Sequence, residues 1–145
     1  SAILRLAGIY GPGRVPYVEQ LRQGVAIAAP SDGWLNLIHV DDAARIVASV
    51  DHWLTERAAP TGPHIFCVSD GRPVIRSQFY AEAARLIGAR PPRFCPPPAD
   101  SPAAARAAAD RRIRNGKVLG ELGVKLQYPS FREGLAAVLK DYAAC

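Results

Sequence analysis

A glycine-rich run at residues 8–13, followed by Arg14, comes nearest in this sequence to a ligand-binding loop. Such loops bind phosphate groups through their backbone amides. Pro12 has no amide hydrogen to donate, so the residues alone predict a turn. Arg14 could be either a solvated cation or a substrate contact. The 145 residues contain no P-loop, Gly-x-Ser-x-Gly, His-Glu-x-x-His or calcium-binding pattern.

His39, Asp41 and Asp42 form a second group of side chains that could do chemistry. A structural role and a substrate contact both fit His39, which ends an apolar segment. The two carboxylates precede an alanine-rich helical segment, where they can accept the free amides of a first helical turn. We therefore interpret them as helix caps rather than as an acid/base pair. Tyr10 is open between core packing and the lining of a cleft.

The elements that position these side chains alternate between strand and helix. Apolar runs predict strands at 3–9, 34–40 and 65–68. Helical periodicity follows each run, ending near Gly24, near residue 54 and at Gly88. Residues 25–29 could pair with 34–40 as a hairpin, or the turn between them could lead into one strand. The alternation predicts an α/β layer architecture.

The C-terminal third differs in composition. Six prolines at 91–102 predict an irregular crossing, because proline lacks an amide donor and blocks regular helix. Beyond it, helices are predicted at 103–109 and 118–122. A final helix begins with a capping box, in which Ser130 covers the amide of Glu133 while Glu133 reaches back. The division is therefore α/β at 1–90, a crossing at 91–102 and a helical part of the same domain at 103–145.

Composition narrows the function classes. The net charge is +5, but the arginines are scattered except at 111, 112 and 114, so we expect no nucleic-acid partner. No apolar stretch reaches the ~20 residues of a membrane span. The odd number of cysteines and their lack of Cys-x-x-Cys spacing predict reduced, structural thiols and a cytoplasmic setting. They are Cys67, Cys95 and Cys145.

Four stretches together resemble the NAD-dependent epimerase/dehydratase family, also called the extended short-chain dehydrogenase/reductases. They are RLAGIYGPGR at 5–14, NLIHVDDAA at 36–44, VSDGRPV at 68–74 and YPSFREGL at 128–135. Each stretch alone is a weak signal, but all four occur in the family's order and spacing. The resemblance implies the C-terminal strands and helices of a Rossmann-like fold, with a substrate-side lobe and a helical tail.

The resemblance also implies site residues. Gly8, Ile9 and Tyr10 would border the nicotinamide end of NAD or NADP in the full-length parent, and Arg14 and His39 would contact the substrate. The family's Gly-x-x-Gly-x-x-Gly loop and Tyr-x-x-x-Lys pair do not occur in these residues. In such enzymes the tyrosine moves a proton and the lysine lowers its pKa. We therefore expect this chain alone to bind no cofactor and to lack hydride chemistry.

Two differences from the family's sequence pattern restrict the class of substrate that we expect. Family members that act on nucleotide sugars tend to have asparagine in place of Gly8 and an Arg-Asp pair in place of Leu35 and Asn36. Loss of that arginine removes a bidentate phosphate partner and disfavours a nucleotide sugar. The expected substrate is a small molecule, for which a sugar-like compound is a candidate.

We predict the substrate-binding portion of an NAD(P)-dependent sugar epimerase/dehydratase-like oxidoreductase, inactive alone. A stand-alone module that binds a ligand or a protein, and a relic without activity, are the alternatives. The absence of methionine and the apolar start at Ser1 favour a piece of a longer protein. An uncovered edge of the first strand would then favour self-association across residues 3–9.

Overall fold

The computed structural model describes residues 1–56, 62–108 and 110–142. Within these ranges the strands are β1 (Ala2–Leu6), β2 (Gly8–Tyr10), β3 (Ile27–Ala28), β4 (Trp34–Leu35), β5 (Leu37–His39), β6 (His64–Val68), β7 (Val74–Ile75) and β8 (Phe94–Cys95). The helices are α1 (Val18–Gln23), α2 (Val40–Glu56), α3 (Arg76–Leu86), α4 (Pro102–Ala107), α5 (Gly116–Leu122) and α6 (Phe131–Leu139). The predicted α/β alternation is confirmed.

The single strand predicted at 3–9 is interrupted at Ala7, where the chain changes its pairing partner. β1 runs parallel to β6, and β2 runs parallel to β5. The amide of Ala7 donates to the carbonyl of Val68 at 2.9 Å, and the next amide, of Gly8, donates to the carbonyl of Asn36 at 2.9 Å. This switch carries the chain from the β1–β6 pair into a second pair without an intervening loop.

Residues 25–29 and 34–40 do not pair as a hairpin. β3 instead runs parallel to β8, with Ile27 opposite Phe94, and β4 pairs antiparallel with β7. The predicted crossing at 91–102 therefore contains a short strand, formed by two residues that keep their amide hydrogens. The turn before β4 receives the start of α3, because the amide of Arg76 donates to the carbonyl of Gly33 at 2.8 Å.

Asp42 has a different role from the helix cap expected of it. It lies in the first turn of α2 and is fully buried. Its two carboxylate oxygens accept hydrogen bonds from the backbone amides of Gln127 and Tyr128, both at 2.8 Å. A buried carboxylate needs such partners to offset its lost hydration. Asp42 therefore ties the C-terminal tail to α2, 85 residues away in sequence.

Ser130 caps α6, but with a different amide from the one expected. Its hydroxyl oxygen accepts a hydrogen bond from the amide of Arg132 at 3.3 Å rather than from that of Glu133. The Ser130 hydroxyl in turn donates to the Glu133 carboxylate. Hydrogen bonds from Ser130 and from the helix backbone lower the pKa of Glu133.

Buried side chains form two clusters. The first lies among α1, α3, α6 and β2 and includes Phe79 and Leu135. The second is enclosed by β1, β6, α2 and α5 and includes Ile46, Phe66 and Val118. The last helix docks on the first cluster through one face, because Phe131, Leu135 and Val138 are buried and Tyr142 packs against this cluster.

One face of the β1–β6 pair remains uncovered. Ile3 and Ile65 are paired neighbours and are 49% and 40% exposed. Among the described residues β1 pairs only with β6, so its other edge has unpaired backbone groups. Cys67 is half-buried and Cys95 exposed, both as free thiols, and Cys145 lies outside the described residues. No helix within the described ranges is long and apolar enough to cross a membrane.

Candidate functional site

A cleft of about 780 Å³ opens beside the strand switch between β1 and β2. The strand switch, β3, β4, α3 and the segment at 103–113 contribute its lining. The lining includes aromatic residues (Tyr17, Trp34 and Tyr80) and arginines (Arg76, Arg106 and Arg111). None of the described lining residues is acidic. The volume lies within the usual range for small-molecule sites.

Gly8 gives the cleft a stretch of backbone without a side chain. It is exposed and lines the cleft, whereas the next two residues turn into the protein. A Cβ atom added at Gly8 would lie 3.1 Å from the carbonyl oxygen of Asn36, a tight contact. Any larger residue at this position would therefore press on Asn36 and narrow the cleft.

Asn36 holds two walls of the cleft together. Its backbone carbonyl accepts the amide of Gly8. Its side-chain amide donates to the carbonyl of Arg111 at 2.7 Å, and its side-chain oxygen accepts the amide of Ile113 at 2.7 Å. Both ends of the side chain are thus used on one extended segment, more than 70 residues away in sequence.

The arginines around the cleft have different partners. Arg76 donates to the carbonyl of Pro30 at 2.6 Å and so stiffens the turn before β4. Arg112, just outside the cleft, lies over the Trp34 ring at 5.2 Å in a cation–π contact. The guanidinium groups of Arg106 and Arg111 have no hydrogen-bond or ion-pair partner among the described residues. Positive charge is therefore available at this end of the cleft.

Two of the aromatic residues that line the cleft, Tyr17 and Tyr80, pack against each other, and the backbone of Tyr17 is strained. Tyr17 has φ of 59°, in the left-handed region that residues with a side chain rarely adopt. Its ring packs edge-on against that of Tyr80, with centroids 5.8 Å apart. Burial, with a smaller contribution from Tyr17, raises the pKa of Tyr80, so its hydroxyl stays neutral. Strained residues of this kind are common where a ligand is bound.

Tyr10 and Ile9 lie away from the cleft. Tyr10 is 1% exposed and belongs to the first core cluster, with its hydroxyl against the backbone of Gly134. Burial is the largest cause of its raised pKa, followed by the charges of Asp70 and Asp42. Ile9 packs against the second core cluster. Of the three residues predicted to border a nicotinamide, Gly8 alone lines the cleft.

His39 is also a buried residue, 2% exposed, and does not line the cleft. Its Nδ1 accepts the amide of Asp41 at 3.2 Å, and its ring lies 3.9 Å from that of Tyr128. The Asp41 carboxylate is 3.7 Å from Nδ1, yet burial lowers the His39 pKa more than the carboxylates of Asp41 and Asp42 raise it. An uncharged ring agrees with Nδ1 acting as an acceptor.

Arg14 is exposed on the turn after β2. Its backbone forms two hydrogen bonds with Gly11, at 2.9 and 3.1 Å, which close the turn. Its side chain does not line the cleft. Neither of the two predicted substrate contacts, Arg14 and His39, therefore lines this cleft.

Asp70 is a buried titratable group that the sequence did not single out. It is 6% exposed, and one carboxylate oxygen accepts the amide of Arg72 at 2.9 Å. The other oxygen has no hydrogen-bond partner among the described residues. Burial raises the pKa of this carboxyl to about 6, although the amide and charge of Arg72 oppose the shift. The described residues contain no cluster of three or more His, Cys, Asp or Glu able to hold a metal ion.

Comparison with known sequences finds a curated relative but no matching family model. Protein YeeZ of Escherichia coli K12 is 33% identical over 132 residues, which is 88% of this chain and 40% of that protein. The chain therefore spans less than half the length of the curated relative.

Comparison with solved structures gives the same partial coverage. A functionally unknown conserved protein of Silicibacter pomeroyi is 34% identical with a TM-score of 0.75, over 97% of this chain and 48% of its own. A putative NAD-dependent epimerase/dehydratase of Methylobacillus flagellatus is 27% identical with a TM-score of 0.71, over 96% and 46%. The human epimerase family protein SDR39U1, solved with NADPH, shares the fold at 15% identity and a TM-score of 0.70, over 97% and 48%.

The chain thus has the Rossmann-like fold of the NAD-dependent epimerase/dehydratase family, and its strands and helices match the C-terminal half of those proteins. The resemblance drawn from the four sequence stretches is confirmed. Each matched structure is about twice as long as the matched region, so activity and substrate are matters for proposal.

Proposed function

We propose that this chain is the substrate-binding portion of a cytoplasmic, NAD(P)-dependent sugar epimerase/dehydratase-like oxidoreductase. The cleft beside the strand switch holds a small, sugar-like substrate. The chain alone does not perform the redox step, because its 145 residues contain neither the glycine-rich nucleotide loop nor the Tyr-x-x-x-Lys pair.

The observation that carries this proposal is the position of Gly8. Bare backbone at Gly8 forms one wall of the 780 Å³ cleft, at the point where the chain leaves β1 for β2. Ligands of open α/β sheets bind beyond the carboxyl ends of the strands, and β1 ends here. Tyr17 and Trp34, which are partly exposed, supply aromatic surface on which a sugar can lie, and the buried Tyr80 packs behind Tyr17.

Gly8 also fits the nicotinamide end of the cofactor, since a flat ring can approach backbone more closely than a side chain would allow. The nicotinamide would supply the hydride chemistry, and Gly8 would hold its edge. Ile9 and Tyr10 support Gly8 from the core rather than touching the ring.

Titration calorimetry of the chain with NAD⁺, NADH, NADP⁺ and NADPH tests whether the chain alone lacks a cofactor-binding site. We expect no binding tighter than about 100 μM, roughly −5.5 kcal/mol. Methyl glucoside, a neutral sugar, should shift the NMR signal of the Trp34 indole N–H. Tight nucleotide binding, or hydride transfer by the chain alone with a sugar or hydroxy acid, would contradict the proposal.

A further inference from the structure

A single residue links the strand switch to the positively charged side of the cleft. Asn36 is the only described residue that bonds both to Gly8 on the strand switch and to the segment carrying Arg111. Both bonds to that segment involve its backbone, which leaves the Arg111 side chain free to reach into the cleft. Fixing two backbone groups of an extended segment limits the directions its side chains can take.

No ion pair among the described residues neutralises the charge in this part of the cleft, although Asp32 and Asp110 line an adjoining pocket that shares Trp34 and Ala107 with it. Arg106 and Arg111 line the cleft, and their guanidinium groups have no hydrogen-bond or ion-pair partner among the described residues. No acidic side chain is among the described lining residues. Guanidinium groups bind carboxylate and phosphate through paired, charge-assisted hydrogen bonds. Trp34 also lines the cleft, with Arg112 over its ring.

We propose that the substrate is anionic, that Arg111 with Arg106 binds its phosphate or carboxylate group, and that Asn36 is the positioning residue that presents Arg111. This rests on the proposed function of the cleft as the substrate site. The anionic group lies at the arginine end, and the ring of the substrate lies toward Trp34 and the strand switch.

Two tryptophans provide the readout. Trp34 lines the cleft, whereas Trp53 is buried in the second core cluster on α2. Their indole N–H signals are followed by NMR during titration with glucose 6-phosphate, glucuronate and methyl glucoside, at constant ionic strength. We expect the anions to shift the Trp34 signal and leave Trp53 unchanged. The better anion should bind about tenfold more tightly than methyl glucoside.

Substitutions test which residues cause the tighter binding of anions. Arg111→Gln should weaken glucose 6-phosphate about tenfold, whereas Arg114→Gln, which removes the same charge from an exposed site outside the cleft, should change it by less than about twofold. Asn36→Ala should weaken binding of glucose 6-phosphate by a larger factor than binding of methyl glucoside, so that the preference for the anion disappears. A merely structural role of Asn36 would weaken both ligands equally, and the dispersion of the Trp53 signal reports whether the variant folds.

Each outcome decides the inference. Equal binding of methyl glucoside and the anions at Trp34 would overturn the anionic substrate but leave the cleft as a sugar site, so the proposed function would stand. An unshifted Trp34 signal with every probe at roughly 10 mM, or a shift of Trp53 instead, would overturn the inference. Loss of anion binding in Arg111→Gln but not in Arg114→Gln would support it. Glucuronate and glucose 6-phosphate distinguish a carboxylate from a phosphate substrate.

Discussion

Replacing Asp70 with asparagine should stabilise the protein at neutral pH and much less in acid. Asp70 is buried, and one of its oxygens lacks a hydrogen-bond partner among the described residues. Burial raises its pKa to about 6, from an ordinary value of 3.8. Glu133 adds to this shift, and Arg72 opposes it. Asparagine has nearly the same shape, keeps an acceptor for the Arg72 amide and carries no charge.

The sign and size follow from proton binding. Because the pKa of Asp70 is higher in the folded state, the folded protein binds the proton more tightly than the unfolded chain does. The free energy of unfolding therefore falls as the pH rises from 3.8 through 6. A shift of this size corresponds to about 3 kcal/mol in full, of which about 2 kcal/mol develops between roughly pH 4 and pH 7.5.

Urea unfolding of the natural protein and of Asp70→Asn, at roughly pH 4, 6 and 7.5, measures this difference. The advantage of the variant should grow by about 2 kcal/mol across the series. Asp51→Asn, an exposed substitution on α2, should show no such growth. An advantage that is constant or shrinks with rising pH would refute the assignment of the raised pKa to Asp70.

Three further perturbations test the packing and the uncovered face. Gly134→Ala places a methyl group against a buried tyrosine hydroxyl and should cost about 1–3 kcal/mol in urea unfolding, whereas Gly120→Ala, in open space, should stabilise slightly. Asp42→Ala removes two backbone hydrogen bonds and should cost about 3 kcal/mol in the same assay, against less than about 0.5 kcal/mol for Asp41→Ala. The chain should self-associate with rising concentration in sedimentation, and Ile3→Lys should reduce it; a clean monomer at high concentration would contradict this.

The sequence predicted the alternation of strands and helices because the spacing of apolar residues depends only on neighbouring positions in the chain. It was not sufficient for strand pairing. Residues 3–9 form one apolar run, and nothing within the run marks Ala7 as the residue where β6 gives way to β5 as the partner. Of the two alternatives left open at 25–40, the hairpin does not form, for a related reason. β3 pairs with Phe94 and Cys95, which lie inside a proline-rich segment that offers little strand signal of its own.

The site was partly visible in the sequence. The sequence singled out Gly8, which lines the cleft, whereas Tyr10 and His39 are buried by elements that pack from elsewhere in the chain. Arg111 belongs to the one group of neighbouring arginines, at 111, 112 and 114, and nothing in the sequence relates that group to a cleft. The useful signal was the pair Leu35 and Asn36, which departs from the nucleotide-sugar pattern.

The two departures from that pattern are one structural change. A side chain at Gly8 would press on the carbonyl of Asn36, and Asn36 is the residue that holds the segment with Arg111. Glycine at the first position therefore leaves the backbone of Asn36 undisturbed, while the side chain of Asn36 holds the Arg111 segment. Under the proposed function, Arg111, 75 residues beyond Asn36, takes the place of the arginine that the nucleotide-sugar pattern has in β4. Positive charge is retained in the cleft but comes from another wall, so the anionic group should bind at a different position from that in relatives with the Arg-Asp pair.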